Sequence, residues 1–190
     1  MLAGFWLFGV SVLVIAVVLL CLYHPRISEM FHEHVRDRPR RRLFLAAVGF
    51  FLSLAVARAT AYGAAHNVGP FHYIYIRGTH VHHMVWGILI LLVVGFCWLI
   101  EVGTGTRGTS LFASRLMSLL YGVGAALTLD EFALWLNLED SGYWTREGRA
   151  SLDAILFFAA ALLIGIWGRN FLKALPGELF RSRSKKAANR

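Results

Sequence analysis

Cysteine is nearly absent: two residues in 190, Cys21 and Cys97. They have no metal-ligand spacing and support no disulfide framework, so they read as apolar packing residues. Only four prolines interrupt the chain, which leaves long stretches free to be helical. Acidic residues are also few, 11 against 19 lysines and arginines. Such a balance would suit a nucleic-acid partner if the cations covered a domain surface. Instead they gather in residues 24–42, with six arginines against three acids, and from Arg169 onward, with seven basic residues against one acid. Both gatherings flank apolar blocks, so membrane orientation explains them and no nucleic acid is expected. Several reaction signatures are missing as well. There is no His-Glu-x-x-His, no Gly-x-Ser-x-Gly and no phosphate-cradling glycine loop. The histidine boxes of membrane desaturases need more inner-side histidines than the three present here, and a bis-histidine haem needs imidazoles on facing helices.

What the chain has in abundance is apolar sequence. Its hydrophobic content of 57% exceeds the roughly 45–50% of soluble domains. It arrives in blocks near the ~20 residues that a helix needs to cross a bilayer. Five spans are expected, at about 2–23, 43–63, 82–100, 112–136 and 153–173, in one all-α, polytopic transmembrane bundle. The first block lacks a positive leading segment and an A-x-A site, so it reads as a retained span and not a cleaved signal. The two basic gatherings belong inside by the positive-inside rule, which puts the N-terminus out and the C-terminus in, in a plasma or inner membrane. After Pro25, the residues Ile27, Met30, Phe31 and Val35 share a helical face, so residues 26–38 read as a short interfacial helix. Glu29 and His32 form a single Glu-x-x-His, whereas a bundle di-iron site needs two such pairs and two more glutamates. The tail, 174–190, reads as a solvated basic arm near anionic lipid heads.

With this orientation, polar residues of four spans meet at one depth on the outer side: Arg58, then His80, His82 and His83, then Asp130 and Glu131, then Asp153. Five of the eight histidines and six of the eleven acids fall on that side. Ionisable groups at membrane depth are expensive and turn inward, which makes this layer the candidate site. Asp130 lies on a stripe of small or polar residues with Ser118, Gly122, Ala126, Ala133 and Asn137, a stripe that faces other helices. Glu131 heads the neighbouring stripe of Tyr121, Gly124 and Thr128. For both acids the plainer alternative is solvation among headgroups beside an aromatic belt of Trp135, Tyr143 and Trp144. If a helix begins near Thr79 as its N-cap, His80 and His83 share a face over Gly87 and His82 turns toward Trp86. If it begins later, extended alternation groups His80 with His82. Protonated imidazoles would oppose the macrodipole at that helix start, so neutral rings are expected, the form that ligates metals.

Neutral imidazoles beside carboxylates are the ligand set of catalytic zinc. The expected assignment is a divalent metal ion, zinc first, on His80, His83 and Asp130, with Glu131 or His82 as general base on metal-bound water. Arg58 pairs with a carboxylate or holds a lipid phosphate, and Asp153 belongs to the same substrate or ion-pair layer, with a first-turn acid as its plainer reading. The reaction class this fits is a membrane hydrolase of a lipid or lipid-linked substrate. A proton- or metal-coupled transporter and an accessory subunit of a larger complex are the alternatives.

The pattern His80-Val81-His82-His83 with Leu129-Asp130-Glu131-Phe132-Ala133-Leu134 and Leu138-Glu139-Asp140 resembles that of a group of bacterial multi-pass membrane proteins. The resemblance spans about residues 43–165 and implies a membrane bundle without implying an activity. The candidate site is also similar in kind to that of the alkaline-ceramidase and progestin-receptor superfamily, whose embedded zinc is held by histidines with acidic help. Five spans in place of seven, with the membrane histidines on one helix, limit that to an analogy of site.

Overall fold

The computed structural model describes residues 6–35, 37–66, 75–76, 79–80, 82–104, 110–137 and 149–168. Among these residues seven α-helices run in order: α1 (Trp6–Tyr23), α2 (Pro25–His34), α3 (Arg38–Ala65), α4 (His83–Leu99), α5 (Leu111–Asp130), α6 (Phe132–Asn137) and α7 (Arg149–Leu163). A π-helical turn over Ile164–Gly168 continues α7. Between α3 and α4, β1 (Tyr75–Ile76) pairs antiparallel with β2 (Thr79–His80), Tyr75 opposite His80 and Ile76 opposite Thr79.

The described residues are thus essentially all-helical, and among them three helices are long and apolar enough to cross a membrane: α3, α5 and Ala150–Trp167. The apolar α4 is shorter, at 17 residues. Large apolar side chains stand exposed in rows, Leu89, Leu92, Val93 and Phe96 on α4 and Leu156 and Phe157 on α7. Such faces are a liability in water and ordinary in lipid.

The bundle is built around α5, which touches α1, α3, α4, α6 and α7. Its sequence allows this because small residues let backbones approach. A Cβ on Gly122 would run into the Ala46 carbonyl and stand 2.7 Å from the Phe50 nitrogen, both backbone atoms of α3. On the other side, a Cβ on Gly87 of α4 would lie 2.8 Å from the Gly124 carbonyl. Phe50, Ala126, Ile155, Ala159 and Leu162 fill the core between α3, α5 and α7, while Leu19, Leu22, Leu45 and Leu119 pack α1 onto α3 and α5.

Helix directions follow from the paired ends. Arg42 of α3 reaches Ser114 of α5 at one end, and Arg58 reaches Asp130 at the other, so α3 and α5 are parallel. Gly87 lies against Thr128, and Ser151 meets Ala133, so α4 and α7 run opposite to them.

Two expectations require correction. The span expected as one helix over 112–136 is broken: α5 ends at Asp130, Glu131 caps it, and α6 restarts at Phe132. The Ala133 N–H leaves the helical ladder and donates to Ser151 Oγ of α7 at 2.9 Å, which satisfies the break. Thr79 does not cap a helix, because it lies in β2 and α4 begins four residues later with His82 as N-cap.

Candidate functional site

Five side chains converge where α3, α4 and α5 end together. Asp130 has no exposed surface, and Glu131 is buried beside it. Their burial follows from position: Asp130 is four residues beyond fully buried Ala126 on the packed face of α5. Arg58, the residue after buried Ala57 on α3, points its Nε at Asp130 Oδ1, 2.5 Å away. The second oxygen, Oδ2, faces His83 Nε2 at 3.1 Å.

Glu131 is equally engaged. Its Oε1 lies 3.0 Å from His82 Nδ1 and 3.3 Å from His83 Nδ1. Its Oε2 accepts the backbone N–H of Met84 at 2.9 Å. Met84 is the second residue of α4, so the carboxylate occupies the place of a side-chain cap, which His82 itself does not supply. Negative charge there also complements the positive end of the helix dipole.

This cap explains the main departure from the sequence reading. His80 and His83 were expected on one helical face. Instead His80 belongs to β2, His82 is extended with φ −73° and ψ 143°, and the helix begins only at His83. Among the described side chains, the pair that meets the carboxylates is His82 with His83. The His80 side chain lies outside the described residues, and the expected His80–His83–Asp130 set lies outside them with it. Among the described residues, no group of three or more His, Cys, Asp or Glu is arranged to hold a metal ion.

His83 Nε2 is in hydrogen-bond contact with Asp130 Oδ2, and its Nδ1 lies within ion-pair distance of Glu131 Oε1. A neutral imidazole has one N–H and one lone pair, whereas a protonated ring has an N–H for each carboxylate.

Asp153 does not join the cluster. It is exposed on α7 and has no ion-pair partner among the described residues. Its neighbour Ser151, two residues earlier, is the one turned inward, buried and bonded to Ala133. The sequence signalled Ser151 only as a cap-type residue ahead of an apolar block. The Met84 N–H carried no signal at all. Trp135 is exposed beyond the site. Tyr143, Trp144, Glu139, Asp140, Glu147, His72 and the basic tail 174–190 lie outside the described residues, and so does the side chain of His32. Comparison with protein-family models, with curated proteins and with solved structures gives no match.

Proposed function

We propose that the chain is a five-span integral membrane protein of a plasma or inner membrane, N-terminus out and C-terminus in, whose working centre is the Arg58–Asp130–His83–Glu131–His82 cluster. The centre holds an exchangeable proton and uses it in acid–base chemistry on a lipid-like substrate arriving from the outer end of the bundle. The reading rests on one observation, the imidazole of His83 set between the carboxylates of Asp130 and Glu131. Asp130 and Arg58 fix that ring, while Glu131 and the half-buried His82 form the pair that passes a proton to or from a substrate. Hydrolysis is the reaction class, with water activated by this pair. Transport fits less well, because the proton-bearing groups occupy one end of α4 and α5, and α4 is apolar from Val85 to Leu99.

Nitrogen NMR on histidine-labelled protein in nanodiscs, combined with infrared detection of carboxyl protonation, tests the proposal. It expects one extra proton in the cluster that disappears in His83→Gln. Tightly bound zinc at one equivalent, lost in His83→Ala, would overturn the proton centre and return the metal-dependent hydrolase in its place.

A further inference from the structure

α7 contributes one buried polar group that the proposed centre does not contain. Ser151 is only 3% exposed, and its Oγ accepts the Ala133 N–H of α6 at 2.9 Å. It heads the stripe that continues with Ile155, Ala159 and Leu162, the face of α7 seated in the core with Phe50 and Ala126. The packing of a whole helix therefore holds this hydroxyl at the break between α5 and α6.

In an unbroken helix the Ala133 N–H would donate to the carbonyl of Leu129, four residues back. Here the Leu129 carbonyl takes the Glu131 N–H instead, and the Leu134 N–H closes on the Glu131 carbonyl at 3.0 Å. Glu131 is left at φ −110° and ψ 21°, away from the helical values of about −63° and about −42°. Those angles set where its side chain leaves the backbone. From there Oε2 accepts the Met84 N–H at 2.9 Å, and Oε1 lies 3.0 Å from His82 Nδ1. Ala133 is buried, so water is a poor substitute acceptor for its N–H. Without the Ser151 hydroxyl, the nearest remedy is to return that N–H to the Leu129 carbonyl, because a buried N–H left unpaired is costly. Such a return would draw Glu131 toward helical angles and carry its carboxylate away from Met84 and His82.

We infer that Ser151 is a positioning residue for Glu131: by taking the Ala133 N–H it holds the helix break open and keeps the carboxylate on the Met84 N–H and the His82 ring. This role rests on Glu131 and His82 being the pair that passes the proton. It brings α7 into the support of a site built from α3, α4 and α5.

Hydrogen exchange at the Met84 amide of the full chain in nanodiscs, with nitrogen NMR of the His82 ring, reads the position of the carboxylate without any substrate. Ser151→Ala should speed exchange at Met84 about fivefold, the effect of losing one helix cap. It should also shift the His82 Nδ1 signal as Glu131→Ala does. The double variant Ser151→Ala, Glu131→Ala should exchange no faster at Met84 than Glu131→Ala alone, because the serine acts through the carboxylate. Ser151→Cys, a weaker acceptor of similar size, should fall between wild type and Ser151→Ala, and it serves if the alanine variant does not fold. Asp153→Asn, exposed two residues further along α7, should change neither readout. A serine that merely steadies α7 would lower thermal stability on substitution and leave the Met84 amide and the His82 ring unchanged, and that result would overturn the inference. Additive effects in the double variant would overturn it as well. Turnover enters neither readout, so an inactive wild-type protein with the Ser151 coupling intact would keep the positioning and overturn only the acid–base reading.

Discussion

Asp130 is the residue on which the outer cluster depends, because a carboxylate with no exposed surface is tolerated only while its partners stay in place. Removing Arg58 leaves that charge buried and half-matched, whereas removing Asp130 leaves a guanidinium that still reaches solvent. Arg58→Ala should therefore destabilise the fold by ~3–5 kcal/mol, and Asp130→Asn by clearly less. Unfolding in mixed micelles measures both, and equal losses would show that Asp130 is not buried in the membrane-embedded protein. Among the histidines, His83 touches both carboxylates and His82 one. His83→Ala should abolish activity and the shared proton, while His82→Ala should lower turnover and leave the proton in place. The reverse ranking would assign the central role to His82.

At the scale of the element, the site depends on where two helices stop. α5 ends at Asp130 so that Glu131 can turn its carboxylate onto the start of α4, and α6 resumes with the N–H of its second residue, Ala133, bonded to Ser151. Glu131→Ala should cost about 1 kcal/mol through the lost cap. It should speed hydrogen exchange at the Met84 amide, and unchanged exchange there would mean that water replaces the carboxylate without loss. Helix contact imposes the second constraint. Gly122 packs against the α3 backbone, which cannot yield as a side chain can, whereas a Cβ on Gly95 would meet nothing within 4 Å. Gly122→Val should prevent assembly of the bundle, and Gly95→Ala should be neutral or slightly stabilising. A folded Gly122→Val protein, seen as a sharp thermal transition, would mean that α3 and α5 sit farther apart.

For the whole molecule, the structure sets α3 and α5 parallel and α4 and α7 against them, which gathers the ionisable groups at two opposite ends of an apolar body. The proposed topology puts the arginine-rich start of α3 inside. In a Cys21→Ser, Cys97→Ala background, a single cysteine after Arg181 should resist a membrane-impermeant thiol reagent in intact cells and react after lysis. Labelling in intact cells would invert the topology and place the His/carboxylate centre inside.

Apolar block length, the small-residue stripe through Gly122, Ala126 and Asp130, and the two arginine gatherings are local properties of the chain. They determine a helical membrane bundle, an inward-facing Asp130 and a charged layer at each end, because lipid punishes any other arrangement. The histidine pairing was not local. Periodicity alone starts a helix near Thr79 and joins His80 to His83. The tertiary structure starts it at His83, because Glu131, 47 positions along the chain from Met84, supplies the cap. The same holds for the break after Asp130, stabilised by Ser151 at a separation of 18 residues. Helix ends depend on whichever group satisfies their last N–H and C=O, and here those groups come from other helices. Only the folded bundle could therefore decide which imidazoles meet which carboxylates.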